Sequence, residues 1–226
     1  NVLILEFTRE LAALSSDEFI GKKIVEKIGL SELIIGYDHR LGHDRDGNEQ
    51  KLRELGLQYG FEVKPVYAVK IGDAAISSTK IRHAITDGEI RKANSYLGWN
   101  YSFSGIVVKG AMRGRTLGFP TINVSAENPR KLMPGRGVYV VRILLDGQSW
   151  FGIMNIGMRP TFGDAIELIT EVYIFNFNRD VYGSRVTVEV LDRLRGEIKF
   201  QSADALIAQL ETDKKEALNI INNLNN

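Results

Sequence analysis

The chain contains no cysteine. Disulfides, thiolate metal sites and a cysteine nucleophile are all excluded, and the absence suits a reducing compartment, so a cytoplasmic protein is expected. No apolar run approaches the roughly 20 residues of a membrane span. The opening stretch NVLILEFTRE has too short an apolar segment and no basic lead-in for a signal peptide, so no membrane partner is expected. Histidine is scarce: His39, His43 and His83 are the only three, which leaves the chain after residue 101 without an imidazole base. His39 and His43 flank a loop containing Gly42, which argues against zinc. Charge of one sign is also lacking. With 29 Lys and Arg against 28 Asp and Glu, the net charge is +1, and no global field recruits nucleic acid. Finally, no Gly-Lys-Ser/Thr occurs, so a Walker loop is excluded.

What is present concentrates in residues 110–123, GAMRGRTLGFPTIN. Gly110, Gly114 and Gly118 recur at four-residue steps, letting backbone N–H groups come close to a phosphate. Arg113 and Arg115 between them supply forked donors for phosphate oxygens. Thr121 and Asn123 leave an extended segment on the same side, and such paired oxygens suit Mg²⁺, which shares its shell with phosphate and water. From Lys109 to Arg136 six basic residues face a single acid, Glu127. Taken alone, this pattern also fits a Gly-rich hairpin loop that happens to carry arginines. An anionic ligand such as a nucleotide triphosphate accounts for more of it.

A length of 226 residues permits one large or two modest domains. Up to about residue 98, apolar runs alternate with helical spacings. Val2–Phe7 reads as an internal strand, Ser15 and Glu18 as a capping box opening a helix to Ile28, and Leu33–Ile35 as a second strand. Glu49–Tyr59 reads as a helix closed by Gly60, followed by a strand over 61–69, a helix capped by Ser78 and another over Ile90–Leu97. This alternation predicts a parallel α/β sheet. After Tyr101, short apolar strands separated by turn residues, with Asp146-Gly147 as a hairpin signal, predict a small closed antiparallel barrel followed by one amphipathic helix to Leu224. The boundary falls near Gly98–Tyr101, giving domains 1–100 and 101–226.

A kinase acting on a small alcohol needs a base beside the hydroxyl, and without histidine a carboxylate is the usual choice. Glu171 alternates onto one strand face with Ile169, Tyr173 and Phe175, neighbours that strip water from a carboxylate and favour it as a base. The same spacing also fits a charged residue on an outward strand face.

The run from Gly110 to Asn123 resembles the signature of riboflavin kinases, G-x-x-x-G-R-x-L-G-x-P-T-A-N, position by position except for Ile122 in place of alanine. The segment Asn155-Ile156-Gly157-Met158-Arg159-Pro160-Thr161-Phe162 is similar to that family's N-I-G-x-x-P-T-F loop, and Tyr182-Gly183 and Leu194-Arg195 to the segments that follow. The resemblance implies a catalytic role for Glu171, with Tyr173 standing where the family commonly has histidine. It also implies phosphate handling by Gly110, Arg113, Gly114, Arg115, Gly118, Thr121 and Asn123, and flavin-loop roles for Asn155, Gly157, Arg159, Thr161, Tyr173 and Arg195.

In the first half, Gly36 to Gly42 with Arg45 and Gly47, and Ile76-Ser77-Ser78-Thr79-Lys80-Ile81-Arg82, resemble motifs of bacterial bifunctional FAD synthetases. Asp38, Arg40, Ser77, Ser78, Thr79 and Arg82 are the adenylyltransferase candidates this implies. Hydroxyls and free N–H groups at a helix start, with an arginine one turn on, suit a phosphate.

Together these similarities span about residues 3–220. They imply an α/β nucleotidyltransferase-like domain, incomplete at its N-terminus, followed by a riboflavin kinase barrel with a C-terminal helix. Riboflavin, ATP and FMN would be substrates, with Mg²⁺ and no zinc, and no nucleic-acid partner. The family's G-x-F-D-G-x-H-x-G-H segment does not occur. The expectation is therefore that this chain makes FMN, that a longer natural protein also makes FAD, and that the sequence is part of it. The competing reading is a barrel that binds a flavin or nucleic acid without chemistry.

Overall fold

Ser15 and Glu18 show how locally the helices begin. The Ser15 hydroxyl accepts from the Glu18 N–H and the Glu18 carboxylate accepts from the Ser15 N–H, both at 3.2 Å, closing a capping box. The computed structural model describes residues 2–36, 38–43, 45–110, 118–160 and 166–224. It divides into two compact units, Asn1–Ile76 and Ser77–Asn226.

In the first unit, α1 (Arg9–Ala12) precedes α2 (Ser16–Glu18), which runs through a π-helical stretch, Phe19–Val25, into α3 (Glu26–Ile28). The helix stops at Gly29 with φ 81°, a conformation that glycine adopts without strain. Strand β1 (Glu32–Gly36) is joined through α4 (Glu49–Tyr59) to β2 (Glu62–Val66), and the two strands pair in parallel. A parallel pair requires such a crossover. Asn48 caps α4, Gly60 ends it, and Ile20, Ile35, Leu52, Leu55, Phe61 and Val63 form the core. A short hairpin of β3 (Lys70–Ile71) and β4 (Ala74–Ala75) completes the unit.

Val2–Phe7 is not the internal strand its apolar run predicts. It has no regular structure, no ladder partner among the described residues, and Ile4 is 88% exposed. An apolar run becomes a strand only where a neighbour satisfies its N–H and C=O groups.

The second unit opens with α5 (Ser78–Thr86) and α6 (Ile90–Leu97). The cap of α5 is Ser77, whose hydroxyl accepts from Lys80 N–H at 3.3 Å, one residue before the Ser78 expected. Six strands then close a barrel: β5 (Tyr101–Val108), β6 (Thr121–Ala126), β7 (Gly137–Leu145), β8 (Gln148–Pro160), β9 (Ile166–Ile174) and β10 (Arg185–Arg195). Their order around the barrel is β10-β5-β6-β9-β8-β7, all antiparallel. Asp146 and Gly147 turn β7 into β8 with φ of 51° and 74°, the positive pair that a two-residue hairpin needs. Inward positions such as Tyr139, Val141, Met154, Ile156, Val172 and Val188 fill the interior.

The compact unit starts upstream of the change in pattern at 98–101 because α5 and α6 pack on the barrel. Ala84, Ile85, Ala93 and Tyr101 share one cluster, and Asn94 accepts from the Tyr101 N–H at 2.8 Å while donating to the Val190 carbonyl at 2.9 Å. The Tyr101 hydroxyl donates to the Leu132 carbonyl, and burial pushes its pKa up to about 12. Burial raises that of Tyr139 as well. Above about pH 10 the unfolded chain releases these phenol protons while the fold retains them, so stability present below pH 10 is lost as pH rises toward 12. For Tyr101 this amounts to as much as about 2–3 kcal/mol. Urea unfolding at pH 9 and pH 11.5 should show the drop, and Tyr101→Phe should shrink it; an equal drop in the variant would refute the cause.

Helix α7 (Ala203–Leu224) follows the barrel and lays Ala217 and Ile221 on its outer face beside Val138, Val140, Ile153 and Leu191. Leu218 is exposed, and the buried stripe uses the neighbouring Ala217 instead.

Candidate active site on the outer face of the barrel

Strand parity places the candidate residues. Along β9, Val172 and Ile174 enter the core, so Ile169, Glu171 and Tyr173 face outward. The registers then align one continuous row across five strands: Asn123 on β6, Glu171 on β9, Asn155 on β8, Val138 on β7 and Arg195 on β10. The adjacent row is Thr121, Tyr173, Ile153 and Val140, mostly apolar. A polar line thus runs beside an apolar one.

Helix α7 and the segment leaving β10 roof part of this face and leave a cavity of about 450 Å³. That lies within the roughly 300–1,000 Å³ range of small-molecule sites. Its walls include Thr121, Asn155, Gly157, Glu171, Tyr173 and Arg195, with Phe119, Glu197, Leu206, Leu210 and Asp213. Six residues expected to serve the site from sequence are therefore gathered in one place. Glu171 is half-buried.

Two glycines of the 110–123 run have a visible reason. Gly118 has φ 82° and turns the chain into buried Phe119, whose ring meets Tyr173 edge to face at 5.1 Å; Tyr173 meets Phe175 likewise at 5.6 Å. Gly110 lies against the Asn123 side chain, so that a Cβ there would collide with the amide. Arg113, Gly114, Arg115 and Thr161 lie outside the described residues, as does the Arg159 side chain. Among the described residues no group of three His, Asp or Glu gathers to hold a metal.

Arg195 is held more firmly than a loop arginine would be. Its Nε donates to Asp213 Oδ1 and Oδ2 at 2.9 and 3.1 Å, Nη2 to Oδ2 at 2.7 Å, and Nη1 to the Gly196 carbonyl at 3.0 Å. Asp213 is fully buried and also accepts from Gln209 at 2.8 Å. Removing one partner of a buried pair strands a charge, so Asp213→Ala is expected to cost about 3–5 kcal/mol in denaturant unfolding. A loss below about 1 kcal/mol, as for exposed pairs, would show the pair to be solvated.

Phe119, Glu197 and Asp213 escaped the sequence reading. Asp213 carried a signal: it interrupts the apolar stripe Leu206, Leu210, Ala217, Ile221, and a carboxylate there demands a partner. Glu197 carried none, since its place depends on Gly157, where a Cβ would come within 2.9 Å of its Oε1.

The adenylyltransferase candidates fall in both units. Asp38 and Arg40 are exposed after the C-terminal end of β1, where open parallel sheets bind ligands. Ser77, Ser78, Thr79 and Arg82 occupy the first turns of α5, with Arg82 Nη1 donating to the Ser78 hydroxyl at 3.2 Å.

The family model described as riboflavin kinase matches residues 97–221, and that described as FAD synthetase matches residues 1–80. The bifunctional riboflavin kinase/FMN adenylyltransferase of Listeria monocytogenes is 36% identical over 213 residues, 94% of this chain and 67% of its own length. Its namesake in Escherichia coli K12 is 37% identical over 217 residues, 96% of this chain and 68% of its own. A solved structure described as a macrolide-efflux protein from Streptococcus pneumoniae superposes with a TM-score of 0.85 at 36% identity, covering 95% of this chain and 68% of that one. That description differs from those of the sequence relatives. In this chain, among the described residues, no helix is long and apolar enough to cross a membrane.

Proposed function

The chain belongs to the bifunctional riboflavin kinase/FMN adenylyltransferase family, and from that premise we propose that its barrel transfers the γ-phosphoryl group of ATP to the 5′-hydroxyl of riboflavin. One observation carries the reading: Glu171 sits between Asn123 and Asn155 in a polar row on the floor of a cavity large enough for a flavin. In the proposed step the hydroxyl oxygen forms the new bond to phosphorus, ADP leaves, and the hydroxyl proton passes to Glu171. The aromatic edge made by Phe119 and Tyr173 offers the ring system an apolar wall.

Thr121 and Asn123 would hold Mg²⁺. Two neutral oxygen-bearing side chains on one strand face fit a cation that keeps the rest of its shell for phosphate and water. When bound, the ion neutralises charge on the phosphoryl group in transfer. Gly110 and Gly118, with Arg113, Gly114 and Arg115 between them, are assigned to cover the phosphates. For the family's second activity, adenylylation of FMN, Asp38, Arg40, Ser77, Ser78, Thr79 and Arg82 are the proposed nucleotide-handling residues.

Incubation with riboflavin and MgATP, followed by chromatography of the flavins, tests the kinase reading directly. FMN should accumulate in proportion to protein. Riboflavin binding without FMN formation would leave a non-catalytic module and sink the proposal; the same chromatogram reads FAD.

A further inference from the structure

A second cavity, of about 220 Å³, opens on the outer face of β5 and is lined by Ser102, Phe103, Ser104, Glu127, Asn128 and Lys131. None of these residues lines the cavity beneath α7. Ser104 lies four residues along β5 from Val108, the ladder partner of Asn123, which is roughly 13 Å. We propose that this second cavity binds a small phosphate, free or as the head of a short monoester, with Lys131 as its counter-charge and Ser102 and Asn128 as hydrogen-bond donors.

Strand β5 supplies the floor. Phe103 enters the core, so Ser102 and Ser104 face outward, opposite Glu189 and Thr187 of β10. The Ser104 and Thr187 hydroxyls meet at 3.0 Å, whereas the Ser102 hydroxyl has no partner among the described residues. The loop after β6 supplies the wall. There the Lys131 N–H donates to the Asn128 carbonyl and the Arg130 N–H to Asn128 Oδ1, both at 2.9 Å. The oxygen of the Asn128 amide is thus engaged, and its N–H groups have no acceptor among the described residues.

The charges around this cavity leave a positive surplus. Arg185 grips Glu127, Nε to Oε1 at 2.8 Å and Nη2 to Oε2 at 2.9 Å, and Arg142 Nε donates to Glu189 Oε2 at 2.9 Å. Each of those pairs cancels. Lys131 pairs with no carboxylate among the described residues; its ammonium rests 4.6 Å from the centre of the Tyr101 ring. Burial holds its pKa below the ordinary lysine value, a cost that a bound anion removes. Exposed Arg130 adds the same sign. Separate donors on a strand and a loop match the tetrahedral spread of phosphate oxygens, where a flat carboxylate favours the planar fork of an arginine. The volume is below the roughly 300–1,000 Å³ of sites for drug-sized ligands. That points to a phosphate on few or no carbons rather than to a flavin or a nucleotide.

The test is a titration of the nitrogen-labelled chain with inorganic phosphate, glycerol phosphate and acetate at constant ionic strength, followed by proton–nitrogen NMR. Signals of residues 127–132 and of the Asn128 side-chain amide should shift saturably with a phosphate Kd of about 1 mM or tighter. Tighter binding of inorganic phosphate would identify the free ion as the occupant, and tighter binding of glycerol phosphate a monoester; either upholds the site. Lys131→Met should raise the Kd by about 10- to 100-fold, and Ser102→Ala, which leaves the ammonium in place, by about 3- to 10-fold. Lys131→Arg should stay within a few-fold of wild type, since it keeps the charge. Acetate binding as tight as that of phosphate would overturn the ligand class. Phosphate shifts confined to residues 110–118 or to Ser77–Arg82, or an unchanged Kd in both Lys131→Met and Ser102→Ala, would overturn the site.

Discussion

Glu171→Gln is expected to slow FMN formation by about 10²–10⁴-fold, the range for a lost general base, while riboflavin affinity and melting temperature stay near the wild-type values. Glutamine keeps the size of the side chain and its place between Asn123 and Asn155, its ladder neighbours. It cannot take up the hydroxyl proton. Because position 171 faces outward while Val172 and Ile174 carry the core, the substitution removes no buried apolar contact. Single-turnover rates with saturating riboflavin and MgATP provide the measurement. A rate within a few-fold of wild type would mean that the proton goes elsewhere, to water or to a phosphate oxygen.

Thr121→Ala and Asn123→Ala should each lower MgATP-dependent turnover by about 10²–10³-fold, the range for losing one group that stabilises developing charge. Riboflavin binding without nucleotide should persist in both. Gly110→Ala supplies an independent arm. Its new Cβ would push the Asn123 amide aside without deleting any donor or acceptor, so the same loss of turnover is expected. If Asn123→Ala instead abolishes flavin binding and spares ATP affinity, the metal and phosphate role is misplaced.

The physics of these residues explains what the sequence revealed and what it concealed. Helix α4 and helix α6 were legible to the residue, Glu49–Tyr59 and Ile90–Leu97, because glycine stops and apolar spacing act within a few positions. The Asp146-Gly147 hairpin was legible for the same reason. Glu171 could be placed on a strand face by counting in twos, but not assigned to the cavity side; that needs the register to β6 and β8 and the roof of α7. Val2–Phe7 misled because apolar residues alone do not supply a pairing partner. Asp213 and Glu197 reach the site from beyond the last strand, through contacts that no local pattern encodes. The packing of α5 and α6 on the barrel was hidden likewise, since Asn94 and Val190 lie far apart in the chain.

The pairing of β5 with β10 has a consequence for how the enzyme comes into being. Ile106 and Arg185 are ladder partners 79 positions apart, and bringing such distant ends together costs about 4 kcal/mol of loop-closure entropy, beyond a constant. The β7–β8 hairpin, by contrast, joins Leu145 to Gln148 and can zip early. The row from Asn123 to Arg195 nevertheless depends on β10 being seated, because β10 carries its last member. During refolding, hairpin signals should therefore precede flavin capture, with capture appearing in the slowest phase that closes the ring of strands.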